Sequence, residues 1–315
     1  MTESSRHLLD PELLPLVDNL PPFSVNDDNL DAMRGREVVT GDPGSRGVSR
    51  DEVTFSSADG TEISALLYTP EAGAGPRPGY LHIHGGGYVM GSALGSDINN
   101  INVVSKLGAV VLSVDYRLAP ETSIPGPLED CYAALAWLFG NADHLQIDTT
   151  RIGIGGESAG GGLAAALAIL ARDRGEYPLC HQHLTYPMLD DTTGSPENPG
   201  DPLVGEFVWT RASNKYGWES YLGDAEPVAP QVPARLEDFS GLPHTWLSTA
   251  TLDLFRDENI TYAKELMRAG IVTDLIVYPG ACHGFQMLPG TRVQKRYARD
   301  HLYGLAEGLG VELES

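Results

Sequence analysis

The chain has 315 residues, 42% hydrophobic and 20% charged, with 21 Lys and Arg against 43 Asp and Glu and a formal net charge of −22. A chain of this length buries a large core without disulfide or metal staples. Its acidic surface repels phosphate backbones and anionic headgroups, so neither nucleic-acid binding nor stable membrane association is expected.

Residues 1–45 are punctuated by Pro and Asp, with short helical patterns at 11–19 and 28–35, and read as a peripheral segment. Residues 52–56 and 62–69 read as strands around an Ala58-Asp59-Gly60 turn, which predicts a hairpin. Strands follow at 80–84, 109–115, 151–155, 183–186, 245–250 and 273–278, and helices at 98–107, 128–139, 159–172, 257–269 and 293–309. This alternation predicts an α/β fold, a mostly parallel central sheet with helices on both faces. Residues 191–235 interrupt it with Pro, Gly and the aromatics Phe207, Trp209, Tyr216, Trp218 and Tyr221; the stretch is too long for a plain connection and reads as a functional insertion. The amino-terminal residues show no basic stretch followed by an apolar one, so no signal peptide is expected. Cys131, Cys180 and Cys282 are odd in number and widely spaced, which argues against a disulfide framework or zinc site and suits a reducing cytoplasm.

Two glycine-rich stretches carry the chemistry. Gly156-Glu157-Ser158-Ala159-Gly160 falls where the strand at 151–155 meets the helix at 159–172. A serine on such a strand-to-helix turn sits in a strained backbone conformation with its hydroxyl lifted clear of the sheet, and only small residues fit beside it. The bland alternatives are close helix packing or phosphate binding; the second lacks the Lys or the G-x-G-x-x-G pattern that phosphate sites carry. His84-Gly85-Gly86-Gly87-Tyr88 directly follows the strand at 80–84. Three glycines in a row weaken a fold but let backbone N–H groups approach a ligand, as the oxyanion of an acyl-transfer intermediate requires. Gly86 and Gly87 N–H, with Ala159 N–H, are the expected donors; His84 is expected to fix the loop.

HGGGY at 84–88, DYRLAPE at 115–121, GESAGG at 156–161 and HGF at 283–285, in that order, resemble the hormone-sensitive-lipase-like carboxylesterases of the α/β-hydrolase fold, over roughly residues 50–310. Departures are Glu157, where the family usually has Asp or Thr, and Asp253-Leu254-Phe255, where Asp-Pro-Leu is common. The resemblance implies a cap made of residues 1–45 and 191–235 over a catalytic domain of 46–190 and 236–315, no metal or cofactor, and a homodimer. A serine hydroxyl needs a base and the base an orienting acid, which in this fold follow in the order Ser, acid, His. His283 lies in a loop past the strand at 273–278, whereas His301 lies mid-helix among Arg and Asp and reads as solvated. Asp253 follows the strand at 245–250; its rival Asp257 begins a helix, where an acidic residue is expected anyway. The pairs His82/His84 and His181/His183 lack an evident third metal ligand. A serine carboxylesterase acting on short-to-medium acyl esters is therefore expected, with Ser158, Asp253 and His283 catalytic, and Tyr88, Phe207, Trp209 and Leu288 lining the pocket or else packing the cap. A lactonase or transacylase would use the same residues. A receptor on this scaffold would have no need of the complete set.

Overall fold

A computed structural model describes residues 4–19, 24–73 and 75–313. Residues 1–3 and 20–23, which belong to the expected cap segment, lie outside the described residues.

Strands β1 (Val48–Ser56) and β2 (Glu62–Pro70) pair antiparallel, Ser56 opposite Glu62 and Val48 opposite Pro70. The turn between them closes with Ser57 N–H donating to Thr61 O at 2.8 Å and Gly60 at φ +84°, as the Asp-Gly pair predicts. The helices α1 (Leu14–Asn19) and α2 (Leu30–Arg34) precede this hairpin. Then come β3 (Arg77–Ile83), α3 (Asp97–Leu107), β4 (Val110–Val114), α4 (Gly126–Gly140), α5 (Ala142–Leu145), β5 (Ile147–Glu157), α6 (Ala159–Arg174) and β6 (His181–Thr185). After α7 (Arg211–Leu222) in the insertion, the chain closes with β7 (His244–Ala250), α8 (Arg256–Arg268), β8 (Thr273–Tyr278) and α9 (Arg292–Gly308). The sheet order is β1-β2-β4-β3-β5-β6-β7-β8, with β2 antiparallel to both neighbours and β4 through β8 parallel. This is the α/β-hydrolase fold.

The strands divide their side chains between two layers by their period of two. Leu81, Ile83, Leu112, Ile154 and Leu247 face Leu135, Leu138, Leu163, Leu167 and Leu266 of α4, α6 and α8. Tyr80 and Val111 face the other way, toward Ile101 and Val104 of α3, Leu305 of α9 and Leu309 just past its end. Helix α6 is buried on nearly every side, from Ala159 through Ile169, which explains why its Ala-rich sequence shows no polar face.

One expectation is overturned here. His301 is 4% exposed, not solvated, because the i, i+4 row Val293, Tyr297, His301 and Leu305 turns inward together. The neighbouring Arg299 lies on the outer face of α9, while Asp300 is partly covered and accepts from the Tyr278 hydroxyl.

The two expected cap segments touch. Ser5 donates from N and Oγ to Glu206 Oε2, both at 2.7 Å; Ser213 Oγ accepts from Val25 N–H; and Tyr216 donates to Asp27 at 2.7 Å. Arg34 reaches the body, donating to Val89 O, Ala119 O and Glu121.

Candidate active site

Ser158 occupies the junction of β5 and α6 with φ +56° and ψ −120°. A non-glycine residue in that region stores strain of roughly 1–3 kcal/mol, which the surrounding structure must hold. The holding contacts are backbone bonds: Ser158 N–H donates to Thr185 O, and Ser158 O accepts from Gly162 and Met188 N–H, each at 2.9 Å. Glycine is required on both sides. A Cβ at Gly156 would stand 2.1 Å from Ile83 O, and one at Gly160 2.0 Å from the same atom. The turn thus forces β3, β5 and α6 together and leaves the hydroxyl at the amino end of α6, where the helix dipole favours negative charge.

The hydroxyl meets two side chains brought from later in the chain. His283 Nε2 lies 3.0 Å from Ser158 Oγ, and His283 Nδ1 lies 2.8 Å from Asp253 Oδ2. With Nδ1 donating to the carboxylate, Nε2 is left to accept from the serine. Asp253 is fully buried, and its second oxygen accepts from Phe255 N–H at 2.9 Å. The loops that carry Asp253 and His283 are tied to each other, Leu252 N–H donating to Ala281 O at 2.9 Å and Gly280 N–H to Thr251 Oγ1 at 2.9 Å. Asp257, the rival acid, is exposed and paired with Arg256 at 2.7 Å.

Gly86 and Gly87 have φ +123° and +62°. Among the described residues their N–H groups donate to no protein acceptor. A Cβ at Gly86 would fall 2.0 Å from Met90 O, and one at Gly87 2.2 Å from the Trp209 ring. His84 holds the loop as expected: its ring stacks on Tyr116 at 4.3 Å and its Nδ1 lies 2.8 Å from Gly85 O. Burial pushes its pKa down. The DYRLAPE stretch is bracing: Asp115 accepts from Ala93 N–H, Tyr116 donates to His84 O, Arg117 pairs with buried Asp130, and Glu121 pairs with Arg34.

Behind Ser158, Glu157 sits 3.1 Å from His82 Nε2, whose Nδ1 contacts Ser113 Oγ. Burial alone would raise the Glu157 carboxyl; His82, with His301 and His84 beyond it, outweighs burial and holds it below its usual range. Among the described residues no group of three or more His, Cys, Asp or Glu is arranged to hold a metal ion.

The expected pocket residues divide. Trp209 lies against Gly87 with its ring centroid 6.4 Å from that of His283. Leu288 is half-buried, and Phe207 is buried in the same apolar cluster. Tyr88 is different: it stacks on Tyr221 at 4.1 Å, abuts Trp218 and donates to Met188 O. Its ring and hydroxyl are fully engaged in packing α7 onto the body, so no face is left to line a pocket. Sequence reasoning missed Tyr186 and Phe255, whose rings flank His283 at 4.4 and 5.3 Å. Phe255 lay within reach as a neighbour of the acid. Nothing local marks Tyr186 except its place between β6 and Pro187.

The model of the α/β hydrolase fold matches residues 80–287, which is more than half of the chain. The esterase LipI of Mycobacterium tuberculosis is 32% identical over 290 residues, covering 90% of each chain. The chain belongs to the hormone-sensitive-lipase-like carboxylesterases. This esterase is also 33% identical to the carboxylesterase NlhH of the same organism, over 90% of its own length and 92% of the relative's. Among solved structures, it resembles a bacterial heroin esterase at 38% identity, with TM-score 0.89, 97% of this chain and 99% of that one covered. The esterase belongs to a family of carboxylic ester hydrolases, and among its described residues no helix is long and apolar enough to cross a membrane.

Proposed function

We propose that this esterase hydrolyses short-to-medium acyl esters through an acyl-enzyme on Ser158. The observation that carries the reading is the unbroken chain from Ser158 Oγ through His283 to Asp253, with contacts of 3.0 and 2.8 Å. Ser158 Oγ attacks the ester carbonyl carbon while His283 Nε2 takes its proton. The tetrahedral oxyanion is held by the N–H groups of Gly86, Gly87 and Ala159. The intermediate collapses, the C–O bond to the alcohol breaks, and the imidazolium returns its proton to the leaving oxygen. Water, deprotonated by the same nitrogen, then attacks the acyl carbon and releases the carboxylic acid. Asp253 holds the imidazole in the tautomer this sequence needs and stabilises its charged form.

The acyl preference rests on enclosure. Ser158 and His283 are only 6% and 7% exposed, and Trp209 closes over the glycine loop. Residues 1–45 and 191–235 act as the cap, supported by their mutual hydrogen bonds. The free thiols of Cys131, Cys180 and Cys282 suit a cytoplasmic setting, and the free edge of β8 suits pairing of two copies.

Replacing Ser158 by Ala should lower kcat on p-nitrophenyl acetate by about 10⁴-fold or more, abolish labelling by a fluorophosphonate, and leave the unfolding midpoint unchanged. Retained turnover would remove Ser158 as the nucleophile. A series of p-nitrophenyl esters should show kcat/KM falling beyond medium chain lengths; a rise toward long chains would overturn the substrate assignment.

A further inference from the structure

Tyr186 adopts φ +34°, a left-handed conformation that side-chain-bearing residues rarely take. It lies just past β6 and is 2% exposed, with its N–H donating to Ser248 O at 2.6 Å. It is not one of the groups that the proposed mechanism uses. Strain of this kind persists only where the surroundings impose it, and it gathers at functional sites.

The unusual φ has a visible consequence, since Tyr186 meets the loop carrying His283 at three points. Its ring lies 4.4 Å from the imidazole at an interplanar angle of 52°, and 6.2 Å from the ring of Phe285 at 72°. Its hydroxyl accepts from Gln286 Nε2. Phe255 meets the imidazole from elsewhere, edge-on at 5.3 Å. Within the loop, Phe285 N–H donates to Cys282 O at 3.3 Å and Met287 N–H to Gly284 O at 2.9 Å; these bonds fix the backbone but do not touch the imidazole. Gly284 is left-handed at φ +71°, only a single helical turn, Phe285–Met287, follows, and Met287 is exposed. Buried Phe285 anchors it to the core, but the orientation of the ring two residues earlier depends on what touches it.

We propose that Tyr186 is a positioning residue for the base, fixing the ring of His283 and the loop 283–286 from the end of β6. The proposal rests on the reading of His283 as general base. Proton transfer needs Nε2 held on the serine proton's line, and displacement by about 1 Å costs about 10²-fold in rate. Because Tyr186 is almost wholly buried, substrate binding is not expected to change.

Four variants test this, assayed for kcat and KM on p-nitrophenyl acetate alongside thermal unfolding. Tyr186→Leu, which removes ring and hydroxyl, should lower kcat by about 10²-fold with KM within about twofold. Tyr186→Phe keeps the ring and should recover most of that loss, leaving kcat a few-fold below the parent. Gln286→Ala should match Tyr186→Phe, and combining the two should cost no more than either alone, since both break one bond. Tyr186→Leu with parental kcat, or losing activity only in proportion to its folded fraction, would overturn the proposal. So would an effect confined to KM. Should the Leu variant fail to fold, unequal or additive effects of Tyr186→Phe and Gln286→Ala would do the same. His283→Ala separates the two readings. An active His283→Ala enzyme overturns the base assignment itself, whereas an inactive one beside a normal Tyr186→Leu enzyme removes only Tyr186.

Discussion

A methyl group added at Gly87 would collide first with one side chain, since its three nearest atoms, at 2.2, 2.6 and 3.2 Å, all belong to the Trp209 ring. Gly87→Ala should therefore push Trp209 aside, strain a backbone at φ +62° and disturb the proposed oxyanion donor, lowering kcat by about 10²-fold. Trp209→Ala opens that space. In the double variant the steric part of the loss should be relieved, so that kcat/KM stands well above the product of the two single effects. Multiplicative losses would mean that the donor, not the clash, decides. This residue-level logic was largely open to sequence reasoning, because three successive glycines before a large residue have few other physical reasons to exist. Tyr186 was not, since 97 positions separate it from His283 and no periodicity links the end of one strand to a loop two strands away. Tyr88 misled for a related reason. Adjacency to the glycines says where its backbone runs, but a left-handed φ of +67° turns its ring into the packing beneath α7.

At the scale of elements, β6 and α9 are joined by histidines. His183 Nε2 lies 2.9 Å from His301 Nδ1, and His183 Nδ1 lies 3.2 Å from His181 Nε2, with the Trp246 ring stacked on His183 at 4.1 Å. Burial holds all three well below the ordinary imidazole range, with His301 at about 4, His181 at about 3, and His183 pushed down by burial and then by His301, His181 and His244. In the unfolded chain each takes up a proton near pH 6.5; in the fold each stays neutral until far lower. The stability that this neutrality protects is therefore complete above pH 6.5 and drains away as pH falls toward 4. For His301 the difference amounts to about 3 kcal/mol by pH 4. Urea unfolding at pH 7.5 and pH 5 should show the loss, and His301→Gln, which cannot titrate, should flatten it. An unchanged slope in that variant would show that His301 does not carry the effect. The strand and helix order was readable because alternation and length distinguish them. The burial of β6 was not, because His-Gln-His-Leu-Thr looks like a surface segment until its neighbours on both sides are known.

For the molecule as a whole, an excess of 22 negative charges and an enclosed serine make opposite demands on a lipase and agree with an esterase that meets its substrate in water. The insertion at 191–235, proposed above as part of a cap, stood out along the chain from its broken alternation. What could not be read was that Ser5 would bond to Glu206 and Val25 to Ser213, which ties two distant segments together. Among the described residues of the proposed cap, Val25 N–H to Ser213 Oγ is a buried bond, α1 and α2 are six and five residues long, and the twelve-residue α7 turns Trp218 and Tyr221 inward, so none presents a long amphipathic face to a lipid surface. The rate on a sparingly soluble triglyceride such as tributyrin should therefore rise hyperbolically with dissolved substrate and level off, with no jump once droplets form. Anionic phosphatidylglycerol vesicles should neither sediment the protein at low salt nor raise its rate on p-nitrophenyl acetate, because the repulsion acts most strongly when screening is weakest. A jump at the solubility limit, or sedimentation with vesicles at low ionic strength, would mean that the cap opens against an interface despite the charge it carries.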